Sequence, residues 1–299
     1  MTTSSVTPGE SLRAVLERPG VDVCPVVANP LLARIAESLG FEVVGIGGYA
    51  LGMNEMVPEP LLTLDTVARA SRQISEAVHV PVLVDAGAGY GEPLHVAHTV
   101  RQLERTGLAG IQLEDQQFPK RAHYHKGVEE TISAQAMVEK LDAAVAARHD
   151  PSFVIVARTD AILTEGFDAA VERSAAYLAA GADAILMFPS DRSEAARLPG
   201  LVDAPVIYSL SEGNPFVRPV PHVEELGAWG YSLVRNLHLA TLVAYEAVRD
   251  ALSRWRDLGT PLEDPAGVRR TRQELEELLG LPQAYATEER TVLRSAPKT

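Results

Sequence analysis

The 299-residue chain has a single cysteine, Cys24, so neither a disulfide nor a multi-cysteine metal site is available to it. Cys24 lies within the apolar segment VDVCPVV and reads as core packing rather than as a nucleophile. The chain also lacks any run of five or more Lys or Arg, and its acidic residues outnumber the basic ones by 40 to 27, for a net charge of -13. That balance disfavours nucleic acid and anionic membranes as partners. No apolar stretch of about 18 residues occurs, and the first residues, MTTSSVTPGESLRAVLERPG, have no apolar signal core. A cytoplasmic protein is expected. Low-complexity segments and internal repeats are missing too, and with 46% hydrophobic and 22% charged residues the chain can bury one large core.

What is present is an alternation. Eight short Val/Ile/Leu-rich runs (VDVCPVV, EVVGIGG, PVLVD, GIQLE, FVIVAR, DAILMF, APVIYSL and YSLVRN) are separated by segments with helical periodicity, such as 94–107, 133–148 and 168–181. Near-continuous apolar strands between amphipathic helices predict a parallel sheet covered by helices. Eight such units predict a closed (β/α)8 TIM barrel, with a doubly wound open sheet as the other solution. The barrel is expected over 1–258, and 259–299 as a C-terminal helical extension, an appendage or a subunit contact.

Several of the runs end on polar groups. PVLVDAGAGYG stops on Asp85 before a Gly-x-Gly-x-Gly turn; IQLED ends on Glu114 and Asp115, FVIVARTD on Arg158 and Asp160, and APVIYSLSEG on Ser209 and Glu212. Carboxylates converging at strand ends suit a hard cation such as Mg2+, which needs only two or three of them and keeps waters. Asp85 and Glu114 are the first candidates. Arg158 follows five apolar residues and needs an anion, either a substrate carboxylate or an internal partner among Glu114, Asp115 and Asp160. The glycines after Asp85 lack the G-x-G-x-x-G spacing of a dinucleotide site. His95 and His98, i and i+3 on a helix without a strand-end partner, read as surface or packing residues.

Taken together, EVVGIGGY, PVLVDAGAGYGEP, AGIQLEDQQFPKR, VEKLDAAVAAR, DPSFVIVARTDA and AGADAILM resemble the isocitrate lyase/phosphoenolpyruvate mutase superfamily. The resemblance implies a barrel, a divalent cation (Mg2+ or Mn2+) at Asp85 and Glu114, and substrate contact through Arg158. It implies C–C or C–P bond chemistry beside a 2-oxo or 2-hydroxy carboxylate. It also implies a homo-oligomer, dimer or tetramer, in which the long helix starting near His238 is exchanged between subunits. The turn Gly47-Gly48-Tyr49 matches a Ser-Gly segment whose backbone amides hold the substrate carboxylate, and Ser209 and Glu212 match an Asn and a Glu of the lyase branch.

The departures are as informative. The lyase loop Lys-Lys/Arg-Cys-Gly-His becomes PKRAHYHKG, which keeps Lys120 and Arg121 but places Ala122 where the acid/base cysteine stands. Alanine transfers no proton, so His123 is the preferred general acid/base, with His125 beside it. Gly87 replaces a second carboxylate, Pro58-Glu59 replaces Pro-Asp and makes Glu59 a further metal candidate, and Phe188 makes the pocket more apolar. The leading expectation is a Mg2+-dependent C–C lyase of a 2-hydroxy or 2-oxo di- or tricarboxylate, acting through an enolate-type intermediate. The neighbouring readings are a phosphonopyruvate-type mutase or hydrolase, an oxo-acid decarboxylase, and a non-catalytic carboxylate-binding barrel.

Overall fold

The structure, a computed structural model, describes residues 6–127, 130–211, 218–259 and 264–292. Each of the eight apolar runs contains a strand: β1 (Asp22–Pro25), β2 (Val44–Ile46), β3 (Val82–Asp85), β4 (Gly110–Glu114), β5 (Val154–Thr159), β6 (Ala184–Met187), β7 (Val206–Leu210) and β8 (Leu233–Asn236). All pair in parallel in the order β1-β8-β7-β6-β5-β4-β3-β2. A parallel bridge between Val26 and Gly45, where Val27 N donates to Gly45 O at 2.8 Å, joins β1 to β2 and completes the ring. The fold is therefore a (β/α)8 barrel and not an open sheet.

Local chemistry sets the helix starts. Asn29, Thr63 and Ser133 accept a backbone N–H at the heads of Pro30–Ser38, Leu64–Ala77 and Ala134–Ala147, and Thr7 and Glu10 form a capping box on Pro8–Glu17. Gly181, at φ 95, closes Phe167–Ala179.

Alternation along the strands separates two cores. Val84, Ile111, Leu113, Ile155, Ala157, Ile185, Tyr208 and Val234 pack outward against the helices. Cys24, Leu83, Val154, Val156, Leu186, Ile207 and Leu233 fill the barrel. By the same parity Asp85, Gln112, Glu114, Arg158, Ser209 and Arg235 face inward. After Asp85 the chain turns through Gly87, Gly89 and Gly91 at φ 53, 76 and 148, a left-handed path that glycine takes at little cost.

The chain divides into two compact units, Met1–Thr241 and Leu242–Thr299, with the helix Leu239–Leu258 running across the boundary. The second unit continues with the helices Pro265–Leu278 and Leu281–Arg290, the former capped by Asp264. Among the described residues no helix is long and apolar enough to cross a membrane.

Candidate active site

The inward groups at the carboxyl ends of β3, β4 and β5 meet with two groups from loops. Glu114, with no exposed surface, is centred between two cations. Arg158 Nη1 lies 3.0 Å from its Oε2, and Lys120 Nζ, from the loop after β4, lies 3.2 Å from its Oε1. That oxygen accepts no hydrogen bond. Lys120 also donates to Glu59 Oε1 at 2.8 Å. A Cβ on Gly48 would stand 2.8 Å from the same Glu59 oxygen, so the approach of Glu59 depends on a glycine there. Arg158 reaches Asp85 Oδ2 at 3.7 Å and Asp160 Oδ2 at 2.8 Å, while Gln116 Nε2 donates to Asp160 at 2.9 Å. Of the two kinds of partner open to Arg158, the internal one is in place.

Burial of this many charges leaves a marked electrostatic signature. Burial pushes the Glu114 carboxyl up to about 7 despite Lys120 and Arg158 beside it. Burial works against the Lys120 ammonium, yet Glu114 and Glu59 hold it well above its ordinary value. Among the described residues, the lysine and arginine groups that pair with Glu59, Asp85, Glu114 and Asp160 are Lys120 and Arg158, so four carboxylates share two cations, with His125 also near Glu59. A cavity of about 50 Å³ opens beside them, lined by Glu59, Asp85, Gly87, Tyr90, Phe118 and Lys120. Among the described residues no three acidic, His or Cys side chains enclose a metal ion by themselves.

The loop that carries Lys120 ends in a short 3-10 helix, Ala122–Lys126. His123 is exposed there, and among the described residues no hydrogen bond or ion pair joins its side chain to the cluster. Tyr124 takes the inward position. Its hydroxyl accepts from Arg158 Nη2 at 2.8 Å, its ring lies 4.1 Å from Lys120 Nζ, and burial pushes its pKa up to about 12. His125 is half-buried, with Nε2 3.5 Å from Glu59 Oε2, and burial lowers its pKa. The helical turn thus brings Tyr124 and His125 to the cluster and leaves the His123 side chain exposed. The hint available in the sequence was an aromatic flanked by two histidines.

Gly47 caps the helix Gly48–Glu55, whose first backbone N–H groups lack intrahelical partners and point a positive end toward the cluster side of the barrel. The Tyr49 ring packs 5.1 Å from His125 and 5.0 Å from His238. Ser209 is buried on β7, its Oγ without a hydrogen-bond partner among the described residues, and Glu212 lies outside them. Asp115 turns away from the cavity and is fully engaged by Thr159, Tyr177, Arg173 and the Asp160 amide. Phe188 is flanked by two guanidinium groups, Arg158 at 4.8 Å and Arg218 at 4.0 Å. This cation–π stack has no local sequence signature.

A charged, partly enclosed cluster at the carboxyl ends of parallel barrel strands defines the class: a (β/α)8 barrel of the enzyme type. The particular lineage follows from comparison. The pattern of the phosphoenolpyruvate phosphomutase family matches residues 12–256, and the chain belongs to that family, within the phosphoenolpyruvate mutase/isocitrate lyase superfamily. It is 41% identical over 233 residues to a probable 2-methylisocitrate lyase of Corynebacterium glutamicum, covering 75% of each chain. It is 35% identical over 276 residues to the 2,3-dimethylmalate lyase of Eubacterium barkeri, covering 90% of this chain and 93% of that one. A solved phosphonopyruvate hydrolase in complex with oxalate and Mg2+ superposes with a TM-score of 0.82 at 29% identity, covering 96% of this chain and 99% of that one.

Proposed function

We propose that this protein is a carbon–carbon lyase that cleaves a 2-hydroxy or 2-oxo di- or tricarboxylate, with a divalent cation, Mg2+ or Mn2+, as cofactor. The observation that carries the reading is the Asp85–Glu114–Lys120–Arg158 cluster, in which carboxylates outnumber cations at the mouth of the barrel. The donor set fits the ion. The Glu114 Oε1, which accepts no hydrogen bond, the negative excess and the adjoining cavity suit a hard cation held by one or two carboxylates and otherwise by water or substrate. Asp85 and Glu114 would hold it, with Glu59 beside them; when bound, it supplies positive charge against the substrate oxygen as the carbon–carbon bond breaks.

The chain's own groups do the rest. The amides of Gly47, Gly48 and Tyr49 bind the carboxylate next to the reacting carbon, and Arg158 and Lys120 hold the acidic side chains in register. Cleavage of a 2-hydroxy acid moves the hydroxyl proton to a carboxylate of the cluster as the C–O bond becomes the carbonyl of the released 2-oxo acid. The electrons of the broken bond pass to the departing carbon as an enolate, which then takes up a proton. Tyr124 is the proposed donor of that proton. Its oxygen accepts from Arg158, so its own O–H is free to point toward substrate, and a high pKa keeps the proton in place until a strong base forms. The reading extends to a cytoplasmic enzyme that self-associates through Leu242–Thr299, where Tyr245, Val248, Leu252 and Trp255 are exposed.

The test is a thermal-shift titration with oxalate in the presence of Mg2+ or Mn2+, followed by a screen of 2-hydroxy and 2-oxo di- and tricarboxylates for release of a 2-oxo acid. Metal-dependent stabilisation and turnover of at least one such acid are expected. An absence of any metal-linked response to oxalate rejects the reading.

A further inference from the structure

Next to the carboxylate cluster the barrel holds a second charge that, among the described residues, no acid balances. Arg235, on β8, is 1% exposed and shares the inward face with Leu233. Its Nη1 donates across the barrel to Gln112 Oε1 on β4, and the Cys24 thiol, its register partner on β1, lies against it. Its Nε and Nη2 have no hydrogen-bond partner, and among the described residues no carboxylate pairs with it. A guanidinium does not deprotonate in proteins, and a buried cation without an anion is strongly disfavoured. A donor left in this state marks a place where an acceptor is missing.

Three further observations place that acceptor. Ser209, the register partner of Arg235 on β7, is 5% exposed, and its Oγ is also unpartnered. Gly45 on β2 leaves the guanidinium its space, since a Cβ there would stand 3.2 Å from Nη2. Gln112, which holds the other edge of Arg235, is in register with Asp85, so this level adjoins the floor of the cluster. A carboxylate entering from the mouth would meet a guanidinium edge and a hydroxyl, the pairing that gives charge-assisted and geometrically specific hydrogen bonds.

We propose that Arg235 and Ser209 form a carboxylate-binding floor that takes the second carboxylate of the substrate and makes this chain select dicarboxylates over monocarboxylates. The proposal rests on the reading of the mouth cluster as a site for 2-oxo or 2-hydroxy acids. In it, Arg235 is a specificity-determining residue, kept in the barrel for binding rather than for stability.

Malate and lactate differ by the one carboxylate in question, and oxalate probes the mouth cluster alone. Their binding to wild-type, Arg235→Met, Arg235→Lys and Ser209→Ala proteins, measured calorimetrically with Mn2+ present, tests the floor. Wild-type protein is expected to hold malate at least about 100-fold more tightly than lactate, because lactate leaves the buried polar groups of the floor unpaired. Arg235→Met should remove that preference while leaving oxalate and lactate within about twofold, and its melting temperature without ligand should not fall, because an unbalanced buried charge has been removed. Arg235→Lys keeps the charge without the fork and should lose about tenfold for malate alone. Ser209→Ala should lose about fivefold for malate alone. Should Arg235→Met not fold, the Lys and Ala variants decide. Unchanged malate preference in the variants, or parallel loss of all three ligands, overturns the floor. Wild-type protein that binds oxalate but prefers neither acid also overturns the floor alone, whereas binding of none of the three overturns the mouth reading and the floor with it.

Discussion

Among the described residues, four carboxylates share Lys120 and Arg158 at the mouth of the barrel, whereas at the adjoining level no carboxylate pairs with Arg235. Asp115, next to Glu114 in the chain, shows what a purely structural buried charge looks like here. Every oxygen partner it needs is supplied by Thr159, Tyr177, Arg173 and a backbone amide. The contrast teaches that this fold can balance a buried charge when stability is the only requirement. At the mouth and at the floor the charges among the described residues are not balanced, and there a ligand of opposite sign fits: a cation at the negative mouth, an anion at the positive floor.

The largest expected effect comes from the negative side. Asp85→Ala should lower turnover by at least about 10³-fold and abolish the metal-linked thermal shift with oxalate while the barrel stays folded; unchanged turnover in a steady-state assay breaks the comparison at its root. Next is the proton. Tyr124→Phe keeps the ring against Lys120 but removes the hydroxyl, so kcat should fall about 100-fold with KM nearly constant, and His123→Ala should stay within about twofold. The reverse pattern returns the proton to the exposed histidine.

The positive side is probed through Cys24. Burial, only partly offset by Arg235, pushes the thiol from its ordinary value of 9.0 up to about 11. Between those values the unfolded chain gives up the thiol proton first, so stability conferred by the neutral thiol is intact below pH 9 and declines as pH rises toward 11. Urea unfolding at pH 8 and pH 10.5 should therefore show wild-type protein losing about 1–2 kcal/mol more than Cys24→Ala over that interval. Equal losses contradict a thiol held neutral beside the guanidinium. The smallest effect should come from Gly87→Asp. An added Cβ there meets only Glu114 Oε1 at 3.8 Å, and a φ of 53 is one that Asp tolerates. The extra carboxylate should deepen the negative excess and tighten metal binding several-fold by calorimetry.

Much of the architecture was readable along the chain. Each of the eight apolar runs is a strand because, in a barrel wrapped by helices, both faces of every strand are buried and the hydrophobic signal is continuous. The gathering of Asp85, Glu114 and Arg158 was readable for a related reason: an inward-facing charge at the end of an apolar strand emerges at the mouth, whereas Asp115, of opposite parity, turns away. The orientation of the Lys120 loop was not. Which of His123, Tyr124 and His125 faces inward depends on a single helical turn, and composition carries no signal for its phase. Arg235 stood in the run YSLVRN, but its isolation depends on what faces it from β4, β7 and β1, residues far apart in the chain.

The sequence by itself determined the barrel, its eight-fold alternation and the strand ends that carry charge, since these follow from local periodicity and from the cost of burying ions. Only the tertiary structure decided which charges neutralise one another. Pairing is set by distances across the barrel: Glu59, far from Lys120 in the chain, lies 2.8 Å from it, and among the described residues no acid pairs with Arg235.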